Sequence, residues 1–135
     1  MRDRLYMCGV DVAMTALGGR WRTIVLAAIR NGASGFAELR REVPGISEKM
    51  LSAALRDLRN AGFVQRTEVR KRPLEVRYTL SDSGCKIAPA LASLNDWGEG
   101  FALNHGLRVL KHPVLVQPKL RRAERPARAA RRRAS

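Results

Sequence analysis

The stretch that decides the fold runs from Pro44 to Leu80 and reads PGISEKMLSAALRDLRNAGFVQRTEVRKRPLEVRYTL. Pro44-Gly45 supplies a turn, and Ser47 supplies a side-chain oxygen that can cap the free N–H groups of a first helical turn. Leucines then recur at spacings of four and three residues, at Leu51, Leu55 and Leu58. This spacing predicts a helix that begins after Ser47 and buries its leucine face.

The opposite face of this helix carries only cations and small residues, namely Lys49, Ser52, Ala53 and Arg56. A DNA major groove admits a helix of this kind, and its base edges accept hydrogen bonds from Arg, Lys and Ser. For an isolated amphipathic helix the alternative is a merely solvated face, because charged outer faces are the norm. The flanking segments decide between these interpretations.

Both flanks favour a winged helix-turn-helix. Upstream, apolar residues between Phe36 and Val43 have helical spacing and end at the short Pro44-Gly45 turn, as in helix-turn-helix motifs. Downstream, Gly62 ends the helix, and two strand candidates follow, from Val64 to Arg70 and from Val76 to Leu80. We expect a hairpin with Arg70-Lys71-Arg72-Pro73 at its tip, where adjacent like charges are explained by phosphate binding.

Motifs along the chain occur in an order that resembles one known family. They are Cys8, Gly18-Gly19-Arg20-Trp21, Phe36-Ala37-Glu38-Leu39, the stretch from Pro44 to Leu51, Leu55-Arg56-Asp57-Leu58, Gly62-Phe63-Val64 with Arg66, the strand from Val76 to Leu80, and Trp97-Gly98. The sequence resembles the HxlR-type (DUF24) bacterial transcriptional regulators over roughly residues 8 to 101. The resemblance implies a winged helix-turn-helix dimer that binds operator DNA as a repressor or activator. In some members a cysteine near the N-terminus senses electrophiles or oxidants. Leu74 departs from the family pattern, since a second proline is usual there.

We therefore predict a mainly α fold with a small β-hairpin wing, a winged helix-turn-helix flanked by N- and C-terminal dimerisation helices. The chain has 135 residues, with 26 Lys and Arg against 12 Asp and Glu, a net charge of +14 that indicates a polyanionic partner. Residues 8–106 form the predicted DNA-binding domain. Residues 107–135 form a predicted basic, disordered tail with a net charge of +9, either a phosphate-binding arm or an extension without a role.

The DNA-binding prediction covers the helix and the wing. Its residues are Ser47, Lys49, Met50, Ser52, Ala53, Arg56, Arg70, Lys71, Arg72 and Arg77. The partner is double-stranded operator DNA. An unidentified small-molecule or electrophilic effector is compatible with the family resemblance.

A homodimer is predicted through the two terminal helices. An apolar stripe follows Ser81 in a long helix beyond the wing, and the resemblance implies that this helix pairs with the first helix across a two-fold axis. The predicted interface consists of Val10, Met14, Ile87, Leu91, Leu94, Trp97 and Phe101. The alternative is that the last helix folds back onto its own domain.

The two cysteines, Cys8 and Cys85, are too few for a secreted disulfide framework. With no apolar signal segment and no apolar run of membrane-spanning length, we expect a cytoplasmic protein. Cys8 lies near Arg2, Arg4 and a helix N-terminus, which favour a reactive thiolate, although free cysteines are often buried and inert. We expect Cys85 to be structural.

Signals for catalysis are weak, and we predict no enzyme activity, no cofactor and no metal. The two histidines, His105 and His112, have neither a second base nor a metal-ligand pattern around them. Two other binding functions stay open. One is a general basic nucleic-acid protein, architectural or RNA-binding, and the other is a winged-helix interaction module that has lost DNA binding.

Overall fold

The computed structural model describes residues 3–110. Three helices precede the helix that the leucine pattern predicts: α1 (Gly9–Leu17), α2 (Arg20–Arg30) and α3 (Phe36–Glu42). The predicted helix is α4 (Glu48–Asn60), followed by the hairpin strands β1 (Val64–Lys71) and β2 (Leu74–Leu80) and by the long helix α5 (Asp82–Asn104). The fold is thus mainly α with a two-stranded antiparallel wing, as predicted.

Serine caps begin the two longest helices. The Ser47 hydroxyl accepts a hydrogen bond from the Met50 N–H at 3.1 Å, so the predicted cap of α4 is confirmed. The Ser81 hydroxyl likewise accepts from the Gly84 N–H at 3.0 Å at the start of α5. Each hydroxyl satisfies an N–H that has no partner within its own helix.

One hydrophobic core joins the helices and the base of the wing. Its largest fully buried side chains come from α2, α3, α4 and the turn between the last two, and they are Val25, Leu26, Leu39, Val43, Leu51 and Leu58. Trp21 is half-buried and packs against this core. The core fixes α4 with its leucine face inward, so the opposite face of the helix points outward.

The wing differs from the prediction at its tip. Strand β1 continues to Lys71, so Arg70 pairs with Glu75 and Lys71 pairs with Leu74 in the ladder. Only Arg72 and Pro73 form the turn. A register shift between Glu68 and Arg70 leaves one residue of β1 without a partner. An alternating sequence pattern does not reveal such a bulge, so it does not predict correctly where β1 ends.

Helix α5 divides into two parts. Ile87 and Leu91 are half-buried against the core of their own domain. Leu94, Trp97 and Phe101 are exposed further along the helix, with Trp97 retaining 64% of its accessible surface. The predicted interface residues Ile87 and Leu91 thus pack within their own domain, as in the alternative interpretation of α5, whereas the later part of the helix leaves its apolar side chains exposed.

Within residues 3–110, no individual helix combines the length and the apolar character needed to cross a membrane. One pair of helices passes such a test only when taken together, α1 with α2, and that pair is bent by 82°.

Candidate nucleic-acid interface

The outward surface of α4 carries the predicted DNA-contacting side chains. We call Lys49, Ser52, Ala53 and Arg56 the basic face of α4. Lys49, Ser52 and Arg56 are exposed, and Ala53 is half-buried. The buried residues of the same helix, Leu51, Ala54, Leu55 and Leu58, hold this face outward. On the basic face, the small side chains of Ser52 and Ala53 lie between the long side chains of Lys49 and Arg56, so a groove wall can approach the backbone of α4 closely.

Two other predicted residues of α4 have structural roles. Ser47 is exposed, but its oxygen already accepts the N–H of Met50 in the helix cap. Met50 itself is half-buried and packs against the core. Its predicted contact with DNA is therefore restricted to the part of its side chain that the core leaves uncovered.

The Glu75 carboxylate forms ion pairs with two arginines of the wing. Glu75 lies 2.9 Å from the Arg77 guanidinium and 3.4 Å from that of Arg70. Arg77 also donates to the Ser34 hydroxyl at 3.2 Å. The predicted wing residues Arg70 and Arg77 are thus partly neutralised, whereas no ion pair with a described residue involves Lys71 or Arg72. Lys71 and Arg72 hold the uncompensated positive charge near the wing tip.

The base of the wing is attached to the segment that leads into α3. The Tyr78 N–H donates to the Ser34 carbonyl at 2.7 Å, and the Arg77 contact lies beside it. Ser34 therefore fixes the direction in which the hairpin leaves the domain. Sequence reasoning did not identify Ser34, because no local pattern relates it to a strand 43 residues later.

Arginine side chains on α3 add positive charge that the sequence reasoning also missed. Arg40 and Arg41 are exposed, and their guanidinium groups lie 3.4 Å and 3.7 Å from Glu48 and Glu42. The Arg40 pair joins α3 to the first turn of α4. Local spacing along α3 does not reveal this pairing, because the two residues belong to different helices.

Both cysteines are exposed. Cys8 occupies the N-cap position of α1 and lies in the sequence between Arg4 and Asp11, whose side chains form an ion pair at 3.7 Å. Cys8 is therefore not buried, and its reactivity stays a prediction. The prediction that Cys85 is structural is not supported, since its side chain lies on the outer surface of α5 rather than in the core.

A cavity of about 330 Å³ lies between α2 and α5. Apolar side chains dominate its lining, with Ile24 and Leu26 on one wall and Leu91 and Leu94 on the other. Its volume is in the range of small-molecule pockets. Among residues 3–110, no group of three or more His, Cys, Asp or Glu side chains could hold a metal ion.

Over residues 16–119 the chain matches a family model described as HxlR-like helix-turn-helix. The chain belongs to this family. The match continues past residue 106, where we predicted that the domain ends.

Family relatives are named as regulators of transcription. One from Methanothermobacter thermautotrophicus, named an uncharacterized HTH-type transcriptional regulator, is 35% identical over 101 residues, which are 75% of this chain and 77% of the relative. A solved structure titled a redox regulator, HypR in its reduced form, is 31% identical, with a TM-score of 0.65 over 69% of this chain and 92% of HypR. Diamide-treated YodB from B. subtilis is 29% identical, with a TM-score of 0.60 over 70% of this chain and 95% of YodB. The chain is thus an HxlR-family transcriptional regulator with a winged-helix fold.

Proposed function

We propose that this regulator binds a palindromic operator as a homodimer, with the basic face of α4 in the major groove and the wing against flanking phosphates. The observation that carries the proposal is the exposure of Lys49 and Arg56 on one face of a helix whose opposite face is locked into the core. Arg and Lys in such positions can donate to guanine base edges, which is the commonest specific contact in the major groove.

Alanine substitution of Lys49 and Arg56 tests the readout of bases. Each change should lower affinity for a selected duplex by about 1–3 kcal/mol and relax the preference at one base position. Lys86→Ala is the matched control, because Lys86 is an exposed cation on α5 outside this face. It should leave the ratio of specific to random binding unchanged.

The same experiment separates the runner-up functions. A general basic nucleic-acid protein would lose affinity equally for the selected and random duplexes, since only phosphate contacts would be involved. An interaction module without DNA binding would show no duplex affinity to lose. Either result would remove the operator proposal.

The dimer proposal rests on apolar side chains that one chain leaves exposed. Val10 and Met14 on α1 and Leu94, Trp97 and Phe101 on α5 are all exposed, and such apolar groups commonly mark an interface. The rings of Trp97 and Phe101 stack with centroids 5.0 Å apart, which presents one aromatic surface. Analytical ultracentrifugation should show a dimer at micromolar concentration. Trp97→Asp should shift it toward monomer, and a wild-type protein that sediments only as monomer would contradict the proposal.

We further propose that Cys8 makes operator binding responsive to electrophiles or oxidants in the cytoplasm. The support is its exposed position at the N-cap of α1 and the similarity to HypR and YodB, whose titles describe a redox regulator and a diamide treatment. Operator affinity should change after diamide or methylglyoxal in wild type and in Cys85→Ser, but not in Cys8→Ser. An unchanged wild-type affinity, or a response that persists in Cys8→Ser, would reject it. No catalytic step is part of this function.

The domain proposal keeps residues 8–106 as the DNA-binding unit and 107–135 as a basic extension. Residues 111–135 lie outside the described part of the chain. The family match ends at residue 119, so it includes the first part of this extension. The extension's net charge of +9 supports a role in phosphate affinity that does not depend on sequence.

A further inference from the structure

Besides their shared core, α2 and α4 are joined by an ion pair that sequence reasoning did not identify. The Arg22 guanidinium donates from Nη2 to Oδ2 of Asp57 at 3.0 Å, and each side chain is about one-third exposed, 32% and 33%. Asp57 lies in α4 next to Arg56, the last member of the basic face. The ion pair therefore joins a scaffold helix to the surface proposed to read DNA.

Asp57 has a second contact that points toward that surface. Its other oxygen, Oδ1, lies 4.0 Å from Nε of Arg56, whose side chain is 68% exposed. The Asp57 carboxylate thus lies between Arg22 of α2 and Arg56 of α4, and its shorter contact is with Arg22. A charge-assisted hydrogen bond at 3.0 Å is the stronger of the two contacts, since the attraction weakens with distance and exposure.

Without Arg22, the charges near Arg56 would be different. Asp57 would present an uncompensated negative charge beside the proposed DNA surface, where it would repel phosphates. Both of its oxygens would then compete with DNA for the Arg56 guanidinium. Because Arg22 balances this charge, Arg56 keeps its long side chain available to the groove.

The junction between α1 and α2 is shaped to admit the Arg22 side chain. A Cβ atom at Gly18 would lie 2.7 Å from Nη1 of Arg22 and 3.1 Å from the Thr15 carbonyl oxygen. The guanidinium therefore fits between Gly18, which approaches Nη1, and Asp57, which accepts from Nη2. A larger residue at Gly18 would require the guanidinium end of Arg22 to shift.

We propose that Arg22 is a positioning residue for DNA recognition, which neutralises Asp57 and so leaves Arg56 free to contact bases. The inference rests on the proposed role of the basic face of α4. It adds that specificity at the Arg56 position depends on a residue that lies on another helix.

Arg22→Ala, Asp57→Asn and the double variant test this role through the ratio of affinities for a selected duplex and a random duplex. Arg22→Ala should lower the ratio about tenfold, within the range of a lost base contact. Asp57→Asn should keep the wild-type ratio. The double variant should recover to within about threefold of wild type, because the competing carboxylate is gone, a coupling that independent sites do not show.

Arg20→Ala is the matched control. Arg20 is an exposed cation on the same helix and lies over the Trp21 ring at 5.2 Å rather than against Asp57. Its loss should leave the ratio unchanged. Thermal unfolding of every variant establishes that the fold is retained. Should Arg22→Ala fail to fold, Gly18→Ala keeps all charges, crowds the guanidinium and should lower the ratio in the same direction.

Two results would overturn the positioning role. One is an unchanged ratio in Arg22→Ala. The other is a uniform loss on both duplexes that Asp57→Asn does not restore, with a salt slope reduced by about one, as a direct phosphate contact of Arg22 would give. Arg56→Ala distinguishes a failure of the proposed function: if its ratio equals that of wild type, the basic face does not read bases, whatever Arg22 does.

Discussion

Gly84→Ala should weaken the packing of the first turn of α5 against the base of the wing and so destabilise the fold. Gly84 is buried in the first turn of α5, where its N–H donates to the Ser81 hydroxyl. A Cβ atom there would lie 2.2 Å from the Phe63 carbonyl oxygen and 3.4 Å from Cβ of Leu80. That carbonyl also accepts a hydrogen bond from the Ser81 N–H at 3.0 Å, so a movement of the carbonyl away from Gly84 would disturb this hydrogen bond as well.

The expected magnitude combines two opposing terms. Restoring ordinary contact requires a backbone shift of about 1 Å, and overpacking of this kind costs about 1–3 kcal/mol, with backbone clashes near the upper end. Alanine gains about 1 kcal/mol over glycine in a helix interior. We therefore expect the free energy of unfolding to fall by about 2 kcal/mol, or the midpoint of thermal unfolding by about 10 °C.

Urea and thermal unfolding measure this loss at one fixed protein concentration, because a dimer's stability depends on concentration. Gly100→Ala is the matched control in the same helix, since a Cβ atom at Gly100 would meet nothing within 4 Å. That variant should be as stable as wild type or more stable, by up to about 1 kcal/mol. The reasoning would be refuted if Gly84→Ala were as stable as Gly100→Ala.

Three further changes probe the helix cap, the wing and the tail. Ser47→Ala should lower the free energy of unfolding by about 1 kcal/mol, whereas Ser52→Ala in the same helix should not, and equal stability of the two would reject the cap. Replacing Lys71 and Arg72 together with Ala should reduce the slope of log affinity against log salt by about two, and an unchanged slope would exclude phosphate contact by the wing tip. Truncation after Leu120 should reduce that slope and keep the preference for the selected duplex, while an unaltered slope would remove the tail's proposed role.

Local chemistry predicted much of the fold. Ser47 and Ser81 mark the starts of α4 and α5, because a hydroxyl just before apolar residues with helical spacing can accept hydrogen bonds from the first free N–H groups. The leucine spacing likewise placed Lys49 and Arg56 on the outward face of α4, since helical geometry fixes which residues share a face. In both cases the structure depends on residues that lie only a few positions apart in the sequence.

Features that depend on distant segments were not predictable in this way. The predicted tip contained the turn but began two residues too early, because β1 continues past the bulge after Glu68 and an alternating pattern does not reveal a bulge. No local pattern relates Arg22 to Asp57, since 35 residues separate them. Nor does a local pattern mark Gly84, because its close approach to the Phe63 carbonyl exists only once α5 packs on the wing.

Selection of bound duplexes from a random library, with the purified full-length protein, tests the central claim most directly. A homodimer that reads bases with α4 should enrich a two-fold symmetric motif whose half-sites lie about one helical turn, roughly 10 base pairs, apart. The Arg56→Ala variant should lose the preference at one position in each half-site. Recovery of duplexes without a shared motif, at affinities equal to random DNA, would contradict the account.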